Sequence, residues 1–287
     1  AKAAAAPEME KAVKLYTQAL SLVKEHSPSA STSIFEILQK RAACYHRLGD
    51  VDSEIGDLEA MLIMAKQTDD LAKQVTSLNT LQYAYIGQGN VEKARQAAEE
   101  AVALARRCAD RGLDCDPLDP FVNFTMGRTF WLEGDLERSL SWLERATSIS
   151  PNYAQGIYAR GWTETLAGRG LEGRGHVDLA MRLSPLDPLH YAMIGTRAFS
   201  HLMLGEDAEA AGWAERAARS PGAHVLIAMI ACVTHTLAGD DARAAEWAAN
   251  VRERNRALTS ADFFRAFPIK PAGARARVSD ALAQLGF

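Results

Sequence analysis

The chain has 287 residues, is 48% hydrophobic and 24% charged, and carries a formal net charge of −4. That balance supplies no field to hold nucleic-acid phosphates, and no run of apolar residues is long enough to span a bilayer as a helix. Residues 1–8 are set aside as a disordered or extraneous segment, because Ala1 to Ala6 lack the charged-then-apolar order of a signal peptide.

Helical periodicity runs through the remainder, and the alternation of a half-buried strand is absent. Residues 9–24 form an amphipathic helix, and 27–33 a Ser/Pro/Ala/Thr loop. Paired helices follow at 34–48 with 51–66, 71–88 with 91–107 and 121–133 with 136–148. Three further pairs lie at 153–167 with 171–183, 189–204 with 208–219, and 224–238 with 242–255. Short tail helices are expected at 260–266 and 271–285.

The joints repeat. Gly49, Gly89, Gly134, Gly168, Gly205 and Gly239 each end an apolar helical run at nearly regular pitch. Most are followed by a residue able to cap the next helix, as in Asp50, Asn90, Asp135 and Asp240. Pro151 and Pro185 break the chain between pairs. A repeat on this scale predicts an all-α fold, a solenoid of about six helix pairs with a C-terminal capping helix. The weakest joint is Cys108 to Pro120, rich in Asp, Pro and Gly, and it reads as a loop insertion. The expected division is 9–110 as an N-terminal sub-array, 111–120 as linker, 121–258 as a C-terminal sub-array and 259–287 as a capping segment.

These pairs resemble tetratricopeptide repeats, whose first helix carries a small residue, an aromatic three later and Gly four beyond. Gly127, Phe130 and Gly134 with Ala146 and Pro151 fit it in the third pair. Tyr85, Gly89, Ala94 and Ala101 fit it in the second. Departures stand at the aromatic position, where Glu164, His201 and His235 occur. The resemblance implies a right-handed superhelix whose first helices line a concave face. A narrower resemblance rests on SISPNYAQGIYARGWTETLAGR, RLSPLDPLHYAMIGTRAFSHLMLGEDAEAAGWAERA and FPIKPAGARARVSDALAQLGF. These runs are similar to repeats that follow class III adenylate/guanylate cyclase or winged-helix domains in bacterial signalling proteins. Neither domain is present here, so any such activity would lie outside this chain.

On that register the inward positions are Asn79, Tyr83, Phe124, Arg128, Trp131, Tyr158, Trp162 and Phe199. Six of the eight are aromatic in a chain only 7% aromatic, and aromatics with Arg are enriched at binding hot spots. The expected function is a non-catalytic, cytoplasmic scaffold gripping a protein or peptide, the regulatory part of a bacterial signalling protein, with dimerisation through an array end. The alternative is an effector sensor with a small ligand in the groove. Against the groove stands the reading of these rings as core between repeats, favoured for Phe199.

No catalytic constellation, cofactor motif or metal set is expected. GRGLEGRG at 168–175 lacks the strand and the Gly-Lys-Ser/Thr ending of a phosphate loop, and reads as a glycine-rich turn into a weak helix. Cys44, Cys108, Cys115 and Cys232 show no zinc spacing and read as reduced thiols. Asp69 and Asp70 read as a helix cap.

Overall fold

The computed structural model describes residues 2–26 and 31–287. Among them are fifteen helices and no strand. They are α1 (Lys2–His26), α2 (Ser31–Leu48), α3 (Val51–Gln67), α4 (Leu71–Gly87) and α5 (Val91–Cys115). Next come α6 (Pro120–Leu132), α7 (Leu136–Ile149), α8 (Ala154–Leu166), α9 (Gly170–Leu183), α10 (His190–Leu204) and α11 (Asp207–Arg219). The chain ends with α12 (Val225–Leu237), α13 (Asp241–Arg254), α14 (Ser260–Ala266) and α15 (Ala272–Gln284). All six expected pairs form. Two compact units divide the chain, residues 1–110 and 111–287.

The turn chemistry works as the residue types dictate. All six joint glycines hold positive φ, between 75° and 93°, where a Cβ would be strained. Asp50, Asp135 and Asp240 each accept a hydrogen bond from the backbone N–H three residues on, capping α3, α7 and α13. The α3–α4 turn has no glycine. Asp69 adopts φ 48° there, and Asp70 caps α4 by accepting from Lys73 N at 3.1 Å.

Three expectations are corrected. The Cys108–Pro120 loop is helical as far as Cys115, because Gly112 lets α5 approach Val122, whose methyls would lie 2.9 Å from an added Cβ. Cys108 and Cys115 thus sit two turns apart on one helix, beyond the reach of a disulfide. The loop at 27–33 is helical from Ser31, its first four residues lying outside the described ones, and α1 begins at Lys2 rather than after residue 8.

In unit 1, α1 to α4 pack in chain order, and Ala94, Ala97 and Ala101 of α5 join the core built on Leu58, Met61, Leu78 and Leu81. In unit 2 each helix from α6 to α12 packs on its successor, and the first helices of successive pairs also touch: α6 on α8, α8 on α10, α10 on α12. This nearest-neighbour stacking is that of a solenoid. Helix α15 closes the row by packing on α12. No helix among the described residues is long and apolar enough to cross a membrane.

The glycines of GRGLEGRG serve packing as well as turning. Only Gly168 is a turn residue, and α9 starts at Gly170. A Cβ on Gly173 would meet Gly161 O at 2.7 Å, and one on Gly161 would meet Gly173 O at 2.8 Å. The two glycines let α8 and α9 pack backbone to backbone. Arg169 and Arg174 pair with Glu137 at 3.0 Å and Glu206 at 3.1 Å.

Candidate functional site

The eight inward positions separate into three groups. Asn79 and Tyr83 are exposed on α4 of unit 1. Phe124 belongs to a small core with Leu143, Ala146 and Ala159, and its ring meets Tyr153 edge-on at 5.5 Å. The other five gather in unit 2.

Trp131, Tyr158, Trp162 and Phe199 line a pocket of about 210 Å³, in which only Phe199 is buried and the other three rings are partly exposed. Arg128 lies over the Trp131 ring, 4.5 Å from its centroid. Burial pushes the Arg128 pKa below its ordinary value and the Tyr158 pKa above. The Trp131 Nε1–H is buried with no hydrogen-bond acceptor. Phe199 is fully buried in the main core of unit 2.

One wall of this pocket was not legible as a site element. Ala266 and Phe267, from the chain's own C-terminal segment, form part of its wall. Phe267 packs against Trp162, Phe199 and Phe263 with centroids 5.9, 5.0 and 4.8 Å away. Beyond it, Lys270 N donates to Leu166 O at the end of α8. Ala266 and Phe267 thus narrow the aromatic row of unit 2 from one side, while Trp131, Tyr158 and Trp162 stay partly exposed. No local pattern announces this, because these residues come from far along the chain.

The departures at the aromatic position are polar. Glu164, buried, accepts from Arg160 Nε at 2.9 Å and pairs with His176 Nδ1 at 2.6 Å. His201 pairs with Glu206 at 2.5 Å and stacks on Trp213. His235 lies near Glu215 and Asp240. These polar side chains bind successive helices together where rings are normally found.

A larger apolar concavity on the first-helix side lies in unit 1. Between α2, α3 and α4 is a groove of about 580 Å³, lined by Ala42, Leu58 and Met61 at its base and by His46, Glu54 and Tyr83. Tyr83 is 66% exposed. Tyr83 was legible from the repeat register; Glu54 was not, since it reads as an ordinary acidic residue in the first turn of α3. Asn79 lies outside the lining of this groove. Among the described residues no group of three or more His, Cys, Asp or Glu is placed to hold a metal ion.

Comparison with known proteins bears on the fold. Residues 122–153, α6 and α7 with the following turn, match the family model described as tetratricopeptide repeat. No curated protein matches the chain. Among solved structures, the Cut9–Hcn1 hetero-tetramer of the APC/C aligns with TM-score 0.52 at 9% identity, over 100% of this chain and 48% of that one. A tetratricopeptide repeat protein from Parabacteroides merdae ATCC 43184 aligns with TM-score 0.46 at 14% identity, over 88% and 93%. PilW, a type IV pilus biogenesis factor, aligns with TM-score 0.49 at 18% identity, over 74% and 91%. The chain is an all-α array of stacked helix pairs, similar in its third pair to the tetratricopeptide repeat.

Proposed function

We propose that this chain is a non-catalytic scaffold that binds a protein or peptide segment, and that its open recognition surface lies in unit 1, around Tyr83. One observation carries this reading: an exposed tyrosine stands at an apolar groove of about 580 Å³, the kind of concavity that accepts an extended chain or a helix. Stacked helix pairs present such surfaces without assembling a catalytic constellation. The C-terminal runs similar to repeats of bacterial signalling proteins support a place in a cytoplasmic regulatory protein, with self-association through an array end as a further property.

The test is selection of peptides from a displayed random 12-residue library on the whole chain. The reading requires saturable binding that Tyr83→Ala abolishes with an unchanged melting temperature. Peptides that bind the variant and the parent equally would refute it.

A second reading is favoured by the unit 2 cavity. Its size and the unpartnered Trp131 N–H suit a small effector accepting a hydrogen bond. A thermal-shift screen with small metabolites separates the two. A stabilising hit lost in Trp131→Phe supports the sensor.

A further inference from the structure

Unit 1 buries two carboxylates on α3, and they are treated differently. Asp57 is held by Arg41 through two hydrogen bonds, 2.9 and 2.6 Å long, so its charge has a resident cation. Glu54, one turn earlier, is only 4% exposed. Its two oxygens both lie 3.2 Å from His46 Nδ1, and that imidazole is 72% exposed and charged only when protonated. Neither Lys nor Arg pairs with Glu54 among the described residues. The carboxylate nonetheless forms part of the wall of the groove, among Ala42, Leu58 and Met61.

A buried carboxylate facing an apolar groove is costly unless a cation meets it. A partner covering the groove removes the remaining water, so a segment without a cation leaves Glu54 with the His46 imidazole as its one side-chain partner among the described residues. One with Lys or Arg repairs the deficit, its aliphatic stem lying on Leu58 and Met61 while its head reaches the carboxylate. Tyr83 offers a ring face to the same cation.

We propose that the α2–α4 groove is a receptor for a basic side chain: it selects peptide segments that carry one Arg or Lys among apolar residues, with Glu54 as the counter-charge. This rests on the reading of the groove as a peptide site and names what that site prefers.

The experiment pans a displayed random 12-residue library on the whole chain and measures the best-enriched peptide by fluorescence anisotropy. Enrichment of a single basic residue among apolar ones is expected. Glu54→Gln should weaken binding at least tenfold, about 1.4 kcal/mol. Citrulline in place of the probe's Arg, or norleucine in place of Lys, should weaken binding equally to the parent and add nothing in Glu54→Gln. The probe-side change needs no folded variant, so the test survives if Glu54→Gln fails to fold. Peptides that require Tyr83 but show no basic preference would overturn this proposal and leave the groove reading standing. Peptides indifferent to Tyr83→Ala, or a dimer of the chain that Tyr83→Ala dissociates, would overturn both.

Discussion

The Phe267 ring meets the Trp162 ring edge to face, with centroids 5.9 Å apart and planes at 86°. Phe267 thereby makes the end of the chain a wall of the aromatic row that its middle builds. Because Phe267 also touches Phe199 and Phe263, it is part of the core of unit 2. Phe267→Ala is expected to cost about 3–5 kcal/mol and to raise quenching of tryptophan fluorescence by acrylamide. Phe264→Ala removes a ring that is only half-buried beneath Arg275, and should cost much less. Equal losses in the two melts would show that Phe267 is no more a core ring than Phe264.

The same geometry sets the tryptophans apart from Tyr83. Trp162 packs on the main core of unit 2, so Trp162→Ala should destabilise by about 3–5 kcal/mol, like any large core truncation. Tyr83→Ala removes an exposed side chain and should change stability by less than about 0.5 kcal/mol. Chemical denaturation of the two variants decides the matter. A Trp162→Ala protein as stable as the parent would return that ring to the list of free recognition residues.

How far the sequence discloses this molecule depends on the range of the interactions concerned. The helix pairs are legible because each joint is local: Gly134 needs its left-handed φ and Asp135 caps α7, both within a few residues. The end of α5 is misread because Gly112, a weak helix former, is retained for its contact with Val122 in the following helix. Tyr83 and Phe199 are both found by register, but the burial of Phe199 depends on Phe267, a ring from far along the chain that no local pattern places there. Glu54 is invisible to pattern because its burial is set by tertiary packing, while its sequence position suits a solvated first-turn acid.

Two glycines of α9, Gly173 at the α8 interface and Gly175 away from it, yield a contrast in sign. An alanine in a helix is favoured over glycine by about 1 kcal/mol. Gly175 has open space around a built Cβ, so Gly175→Ala should stabilise unit 2 by up to that amount. Gly173→Ala must displace the α8 backbone at Gly161 O and should destabilise in spite of its helix propensity. Thermal melts of the pair check this, and a stabilised Gly173→Ala would show that the interface has room.

Thiol chemistry reports on unit 2 from within. Burial pushes the Cys232 thiol up to about 12, and the side chain is inaccessible in the core. Cys115 is exposed at the end of α5. A thiol reagent at pH 8 should therefore modify Cys115 at once and Cys232 only on unfolding. Rapid modification of Cys232 in the native protein, read by mass spectrometry after digestion, would contradict the packing of α12.

Alkaline pH should weaken the fold through its buried phenols. Burial, with a smaller contribution from Asp119, raises the Tyr153 pKa from its ordinary 10.0 to about 12, and burial raises that of Tyr158 as well. A raised pKa means that the folded state binds the phenolic proton more tightly than the unfolded chain does. The stability this provides is fully present below pH 10 and is lost as pH climbs from about 10 toward 12. Denaturation midpoints taken between pH 8 and 12 should thus fall only above about pH 10. Tyr153→Phe keeps the ring contact with Phe124 and removes the proton, so its midpoint should fall less steeply across the same interval. A variant that tracked the parent throughout would place Tyr153 in solvent, and the small core it shares with Phe124 would have to be redrawn.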